Sequence, residues 1–406
     1  MKKTIKLALV ASLALGATSA FATNGAALIG MGAKARGMAG TGIGMSHGAE
    51  SALVNPALIT SVESTEISFG GTLFMPNVKN SNDLTPIGGA NGSADSDADM
   101  NVIPEVSLAT KINDNFYVGI GMWGTGGMGV DYRKATTDAQ MNMVTNLQLM
   151  QFGVPLAYKL DAFSIAVTPI LQYGSLDINY IAPAAFGGNQ KGAGVAQDLQ
   201  FGFNIGASYE LNNLTVGAIY KSKIDMKYDG VLSNTVDLFS STGVYNNDKL
   251  STPAEIGIGA SYVMGEHTVA IDYKQIQWSD AKGYKDFEWD DQNVISLGYE
   301  YTADTWAARV GYNYASSPIS EQNYTGVNSA NLSAGVVNTF NLLGFPGIVE
   351  SHYAIGGTFN LNKQTSVDLA FNYAPEKTET YANFAGSTIT TKHSQTAVSA
   401  QLTFDF

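Results

Sequence analysis

From residue 64 to the C-terminus, apolar and polar positions alternate with a period of two. Val398, Ala400, Leu402, Phe404 and Phe406 interleave with Ser399, Gln401, Thr403 and Asp405. Phe201, Phe203, Ile205, Ala207 and Tyr209 interleave with Gly202, Asn204, Gly206, Ser208 and Glu210. Successive side chains of a strand point to opposite faces, so each segment has one apolar face and one polar or glycine face. Fourteen segments carry the pattern. They lie near 64–75, 101–112, 116–123, 146–159, 163–180, 198–210, 214–228, 252–263, 266–277, 291–302, 305–314, 351–361, 364–375 and 394–406.

The connections sort by length. Tight turns at Asn113–Asn115, Leu160–Ala162, Leu211–Asn213, Met264–Gly265, Ala303–Asp304 and Asn362–Lys363 alternate with long polar links near 76–100, 124–145, 181–197, 229–251, 278–290, 315–350 and 376–393. A soluble sandwich has no reason to sort its loops by end. An outer-membrane barrel does, with short periplasmic turns and long outside loops. The sequence therefore predicts an all-β fold, a transmembrane antiparallel 14-stranded β-barrel over 64–406, with both termini on the periplasmic side.

Aromatic placement agrees. Tyr158, Tyr209, Tyr262 and Tyr301 precede tight turns on the apolar face, and Phe116, Phe163 and Trp306 follow them. Toward the long loops the same face carries Tyr173, Tyr220, Tyr273, Tyr314 and Tyr373. The rise from Phe163 to Tyr173 along a tilted strand is roughly 25 Å, the height of an outer-membrane apolar band.

The first 22 residues read as a signal peptide. Lys2, Lys3 and Lys6 precede an apolar stretch over Leu7–Ala17 that is too short to span a bilayer, and Ala20-Phe21-Ala22 is a small-x-small cleavage site. Residues 23–63 do not alternate. They are crowded with glycine and alanine, too apolar for a loose tail and too glycine-rich for a stable helix, until Asn55-Pro56 breaks the chain before the first strand. A position inside the barrel accounts for both features; a periplasmic linker is the alternative.

Within this segment, Gly32-Ala33-Lys34-Ala35-Arg36-Gly37-Met38-Ala39-Gly40 and Ala49-Glu50-Ser51-Ala52-Leu53-Val54-Asn55-Pro56-Ala57 resemble the N-terminal hatch of the FadL/TodX-type outer-membrane transporters of long-chain fatty acids and aromatic hydrocarbons. The close match in residues covers about 24–60; the match in architecture covers the chain. The resemblance implies passive uptake of hydrophobic small molecules: capture by outside loops, an apolar lumen site, and release when the hatch shifts, with an exit where strand three is kinked. It assigns Asn55, Pro56, Ala57 and Arg36 to the hatch, or plug.

The residues themselves point to the same substrate class. Phe74, Tyr117, Trp123, Ile170 and Ile219 fall in the inward phase, where an open aqueous pore is polar. The outside links carry Phe186, Phe340, Leu342 and Phe345 in apolar runs, which mark either a capture surface or loop–loop packing. Inward-facing Arg309 is a candidate for a carboxylate headgroup; its alternative is pairing with lumen acids such as Glu105, Asp272 or Asp368. Lys221 and Lys111 share the inward phase.

Composition removes other classes. Only 14% of residues are charged, against about 25% in an ordinary soluble protein. A net charge of −13 argues against nucleic acid as a partner, and zero cysteines exclude thiol chemistry, disulfides and Cys–zinc sites. Gly119-Ile120-Gly121-Met122-Trp123-Gly124 fits GxGxxG but ends a strand with no helix after it, so these glycines make room for the hatch or bend strand three. Asp95, Asp97 and Asp99 open like an EF-hand loop, yet Met100 and Val106 stand where Gly and Glu are required. No Ser, His and acid share a strand face. The expectation is a non-enzymatic monomer without cofactor, set in outer-membrane lipid and lipopolysaccharide. A porin for polar solutes is the competing function, followed by a barrel lipase and an adhesin.

Overall fold

The computed structural model describes residues 23–237 and 245–406, so the expected leader at 1–22 lies outside the described residues. The period-two segments form strands β1 (Thr65–Asp83), β2 (Asn101–Lys111), β3 (Phe116–Asp131), β4 (in two pieces, Val144–Gly153 and Leu156–Leu160), β5 (Phe163–Ile181), β6 (Ala196–Leu211) and β7 (Leu214–Lys221). They continue as β8 (Glu255–Met264), β9 (His267–Ile276), β10 (Gln292–Thr302), β11 (Trp306–Ala315), β12 (Ser351–Asn362), β13 (Thr365–Ala382) and β14 (Thr388–Asp405). Each pairs antiparallel with its sequence neighbours, and β14 returns to β1 with Val398 opposite Leu73 and Phe404 opposite Ile67. Closure removes the edges that an open sheet would offer for aggregation, and it satisfies the backbone within lipid.

The outer face is apolar. Phe201 is 80% exposed and Ile258 61%, values that water would not tolerate across a whole belt and that a bilayer requires. At the short-turn end the aromatic rim is built from contacts between strands. Phe163 stands opposite Tyr209, the Phe116 and Tyr158 rings are 4.9 Å apart, and Tyr301 lies 5.5 Å from Trp306. The tight turns carry left-handed residues, Asp161 and Asn212 at φ 52° and Gly265 at φ 65°. Among the described residues no helix is long and apolar enough to cross a membrane; the crossing is made by strands.

Several strand ends differ from the expected ones. β1, β13 and β14 run on past the apolar band, pairing Lys79 with Lys392 and Asn82 with Ile389. Their outward side chains there are polar and the apolar ones, Val78, Tyr381 and Ile389, are scattered on the inner face, so an apolar outer face cannot mark them. β7 stops at Lys221 instead of reaching 228, and Ile224, Met226 and Tyr228 turn inward and are buried. Off the ring lie, among other short elements, α1 (Gly32–Gly37), α2 (Ser51–Val54) and, within the long 315–350 link, α3 (Ala334–Leu343).

Residues 24–62 run inside the ring. α1 touches β1 and β11–β14, and the 3-10 turn Pro56–Ser61 touches β2–β6. Between them, Gly42 to Gly44 cross β7, β8 and β9. Contacts to every side of a closed cylinder place the segment in the lumen.

Candidate functional site

The lumen is filled from below by this segment, and its seating explains the Asn-Pro-Ala run. Asn55 is the N-cap of the 3-10 turn, its Oδ1 accepting from the Ala57 N–H at 3.1 Å, and Pro56 follows where no N–H is needed. The Asn55 amide also donates to the carbonyls of Ile43 (2.7 Å) and, on β6, Ala207 (3.2 Å). A Cβ at Gly206 or Gly217 would overlap Asn55, Pro56 or the Ile43 carbonyl, so two wall glycines are the socket for this corner. Wall carboxylates hold the rest through its backbone. Glu66 accepts from Ala49 N–H (2.7 Å), Glu105 from Gly32 N–H (3.0 Å), and Asp272 from both Gly42 (2.7 Å) and Ile43 (2.8 Å). Arg36 closes the arrangement by pairing with Glu105 and donating to Thr72 Oγ1 at 2.5 Å.

Above the segment two small cavities of about 50 and 30 Å³ share Leu28, Met31, Lys221 and Glu255. Leu53, Leu149, Trp278 and Tyr284 supply apolar wall to the larger one. Trp278, Tyr284 and Trp289 pack edge-to-face and tilted with ring centroids 4.6 to 5.1 Å apart, and the two tryptophans lie against Gly25. The polar side is an ion triad: Glu255 Oε2 lies 3.1 Å from Lys274 Nζ and 3.5 Å from Lys221 Nζ, all three side chains largely buried. Two ammonium groups therefore share one carboxylate beside an apolar wall. The remaining space has room for no more than a few water-sized molecules and is far smaller than an acyl chain needs.

The expected lumen residues fall where the phase puts them. Phe74, Tyr117 and Trp123 are buried on β1 and β3. Trp123 donates Nε1–H to Ser107 (2.8 Å) and lies over Gly121 and Gly153, so those glycines give space to a tryptophan, while Gly126 further along β3 backs the segment at Ala26. Above Trp123, β3 leaves β2, bulges between Gly124 and Gly126, and gives its Gly127 N–H to Ala26. Arg309 takes part in the pairing raised as its alternative. Its guanidinium is 2.5 Å from Glu300 and 3.6 Å from Asp368 and donates to Thr358, so two acids already compete for it.

The outside residues differ in burial. Phe340 and Leu342 lie on α3 and are buried in the mouth, with Phe340 packed on Tyr180 and Phe287 at 6.2 and 5.8 Å. Phe345 is half-buried at the end of the same helix, while Phe186 stays exposed and meets Phe384 edge-on at 5.9 Å. Packing, the alternative raised for these runs, describes Phe340 and Leu342. Residue-level reading of the sequence missed Lys274, Glu255, Trp278 and Tyr284. Lys274 shares the inward phase of β9 with Asp272 and was open to discovery; the aromatics arrive on a link whose path no periodicity encodes.

The model of a family described as outer membrane protein transport protein (OMPP1/FadL/TodX) matches residues 7–327. The long-chain fatty acid transport protein of Escherichia coli (strain K12) is 23% identical over 404 residues, covering 82% of this chain and 85% of that protein. A Pseudomonas aeruginosa FadL homologue superposes with a TM-score of 0.68 at 16% identity, covering 94% of this chain and 100% of that one. The P. putida toluene transporter TodX gives a TM-score of 0.67 at 17% identity, covering 93% and 99%.

Proposed function

The chain belongs to the OMPP1/FadL/TodX family of outer membrane transport proteins, and from that premise we propose that it carries anionic amphiphiles of the long-chain fatty acid class inward by diffusion. The observation that carries this reading is the Lys221–Glu255–Lys274 triad beside an apolar lumen wall. Glu255 offsets one of the two lysines, and Asp272, the next inward acid on β9, is committed to backbone N–H groups of the N-terminal segment. A carboxylate headgroup completes the balance; a neutral hydrocarbon gains nothing from it. Burial of each CH₂ contributes about 0.8 kcal/mol, so the tail supplies most of the affinity and the lysines supply orientation and choice.

Residues 23–63 act as a hatch in this proposal, because the cavities above them admit no acyl chain until something moves. The unpaired seam between β2 and β3 above Trp123 favours exit through the wall at that level. A porin for polar solutes has no support from a lumen packed with Phe74, Trp123 and Leu53.

The test is binding of palmitate against methyl palmitate by isothermal titration in nonionic micelles. Lys221→Met leaves Lys274 and Glu255 as a one-to-one pair. It is expected to weaken palmitate by about tenfold or more, the worth of a charged hydrogen bond, and to leave the ester unchanged. Equal effects on both ligands, or none, reject the headgroup role.

A further inference from the structure

We propose that the outer wall carries a site for the phosphorylated lipid A end of lipopolysaccharide. Its phosphate lies on Lys79 and Lys392, and one acyl chain follows a groove over β12, β13 and β14. The two lysines are direct partners across the β1–β14 seam. Strand phase turns them outward with Leu73 and Val398, and their side chains are 49% and 48% exposed. Like charges placed directly opposite each other in a ladder repel. The acids near them stand on the far sides of the pair. Asp95, on the short strand Asn91–Asp95, is 3.7 Å from Lys79, and Glu376, at the β13 bulge, is 3.4 Å from Lys392. Both acids are exposed, so these contacts are worth little and leave the face between the two ammonium groups to an anion. A phosphate there accepts from both lysines and turns a repulsive pair into a shared one.

Height agrees with this ligand. On β14, Thr396 stands opposite both Met75 and Tyr373 of the upper aromatic girdle. Lys392 is four residues further up the strand, about 13 Å along it and roughly 10 Å along the membrane normal. That is the level of lipid headgroups. In the row between, Asn77 opposite Ser394 presents an amide and a hydroxyl to sugar or phosphate oxygens. Beneath the girdle the wall is dented, because Gly357 faces lipid beside its β13 partner Leu369. The dent is part of a groove of about 470 Å³ that takes in Ile355, Phe359, Phe371 and Val398. From Ile355 to Phe359 it descends about 13 Å, and its side chains are apolar, so it suits hydrocarbon. Val398 ties the two points together, being on the same strand as Lys392. Any lipid tail can fill a dent; the lysine pair above it selects a tail whose headgroup carries phosphate.

Native mass spectrometry of the full barrel in nonionic micelles, titrated with diphosphorylated lipid A, reads the binding directly. Changing both lysines, Lys79→Gln with Lys392→Gln, is expected to weaken lipid A by about tenfold or more, and changing both to arginine should keep it. Dephosphorylated lipid A should bind the wild type no better than intact lipid A binds the glutamine variant. Val398→Trp fills the groove from the lipid side and should weaken lipid A with the lysines intact. Heat-shifted migration in gels establishes that each variant is folded. Unchanged affinity in the glutamine variant overturns the phosphate contact, and unchanged affinity in Val398→Trp overturns the groove. Phosphatidylglycerol binding as tightly as lipid A overturns the choice of glycolipid. Displacement of lipid A by an equal concentration of inorganic phosphate reduces the site to a small-anion contact and overturns the two-point reading.

Discussion

Asn55 shows how much one side chain can settle. It caps the turn below it, ties down Ile43 within the segment and reaches Ala207 on β6. Loss of such a cap costs about 1–2 kcal/mol, so Asn55→Ala should speed amide exchange across Ile43–Ala57 while leaving the barrel strands as slow as before; an unchanged pattern would show that the glycine socket alone seats the corner. Asn-Pro-Ala was visible in the sequence, and so was its place before the first strand. The socket was not, because Gly206 and Gly217 sit about 150 residues downstream and sequence order says nothing of which glycines face it. Arg309 illustrates the opposite outcome. Strand phase put it inside correctly, but its ownership by Glu300 and Asp368 depends on two neighbouring strands in register.

At the scale of elements, strand existence was plain and strand ends were not. A strand crossing lipid must alternate, since one face meets hydrocarbon and the other the lumen. Once β13 and β14 rise above the bilayer that demand lapses, and their polar extensions read as loop. α3 was missed for a related reason. Ser333 before it and Gly344 and Pro346 after it are ordinary start and stop signals, but its ten residues have no polar face to give a period, being buried almost all round in the mouth. Phe340→Ala should therefore act as a core truncation, costing about 3–5 kcal/mol and freeing the helix to proteolysis in the 315–350 link. Phe186→Ser, at an exposed edge-on contact, should change thermal unfolding by about 0.5 kcal/mol or less. Protease susceptibility and melting of the two variants separate an internal packing role from a surface one. If Phe186→Ser selectively slows uptake of fatty acid while Phe340→Ala destabilises, capture rests on the former alone.

For the whole molecule the governing fact is closure. A closed barrel with apolar wall outside has a lumen that must be filled, wet or gated, and here residues 24–62 and the long links fill it from both ends. Deleting residues 24–60 should raise ion conductance in planar bilayers by at least an order of magnitude, a loss the apolar links at the mouth cannot make good; wild-type conductance in that variant would remove the lumen segment from any account of gating. The same deletion removes the partners of Glu66, Glu105 and Asp272, leaving charged side chains facing water, so the barrel itself should remain folded and heat-resistant in detergent.

By itself the sequence determined the class of fold, the strand number, the sorting of short and long connections, and the lipid-facing surface. Each of these follows from local chemistry repeated along the chain: a strand in a bilayer has to alternate, a periplasmic turn has to be short, and an aromatic has to sit at the interface. What only the tertiary structure decided is who meets whom inside. The pairing of Glu255 with two lysines, of Asp272 with a turn 229 residues away, and of Arg309 with acids on its neighbours depends on register and on the path of a non-repeating segment through the cylinder. Such contacts leave no period in the sequence because each is made once.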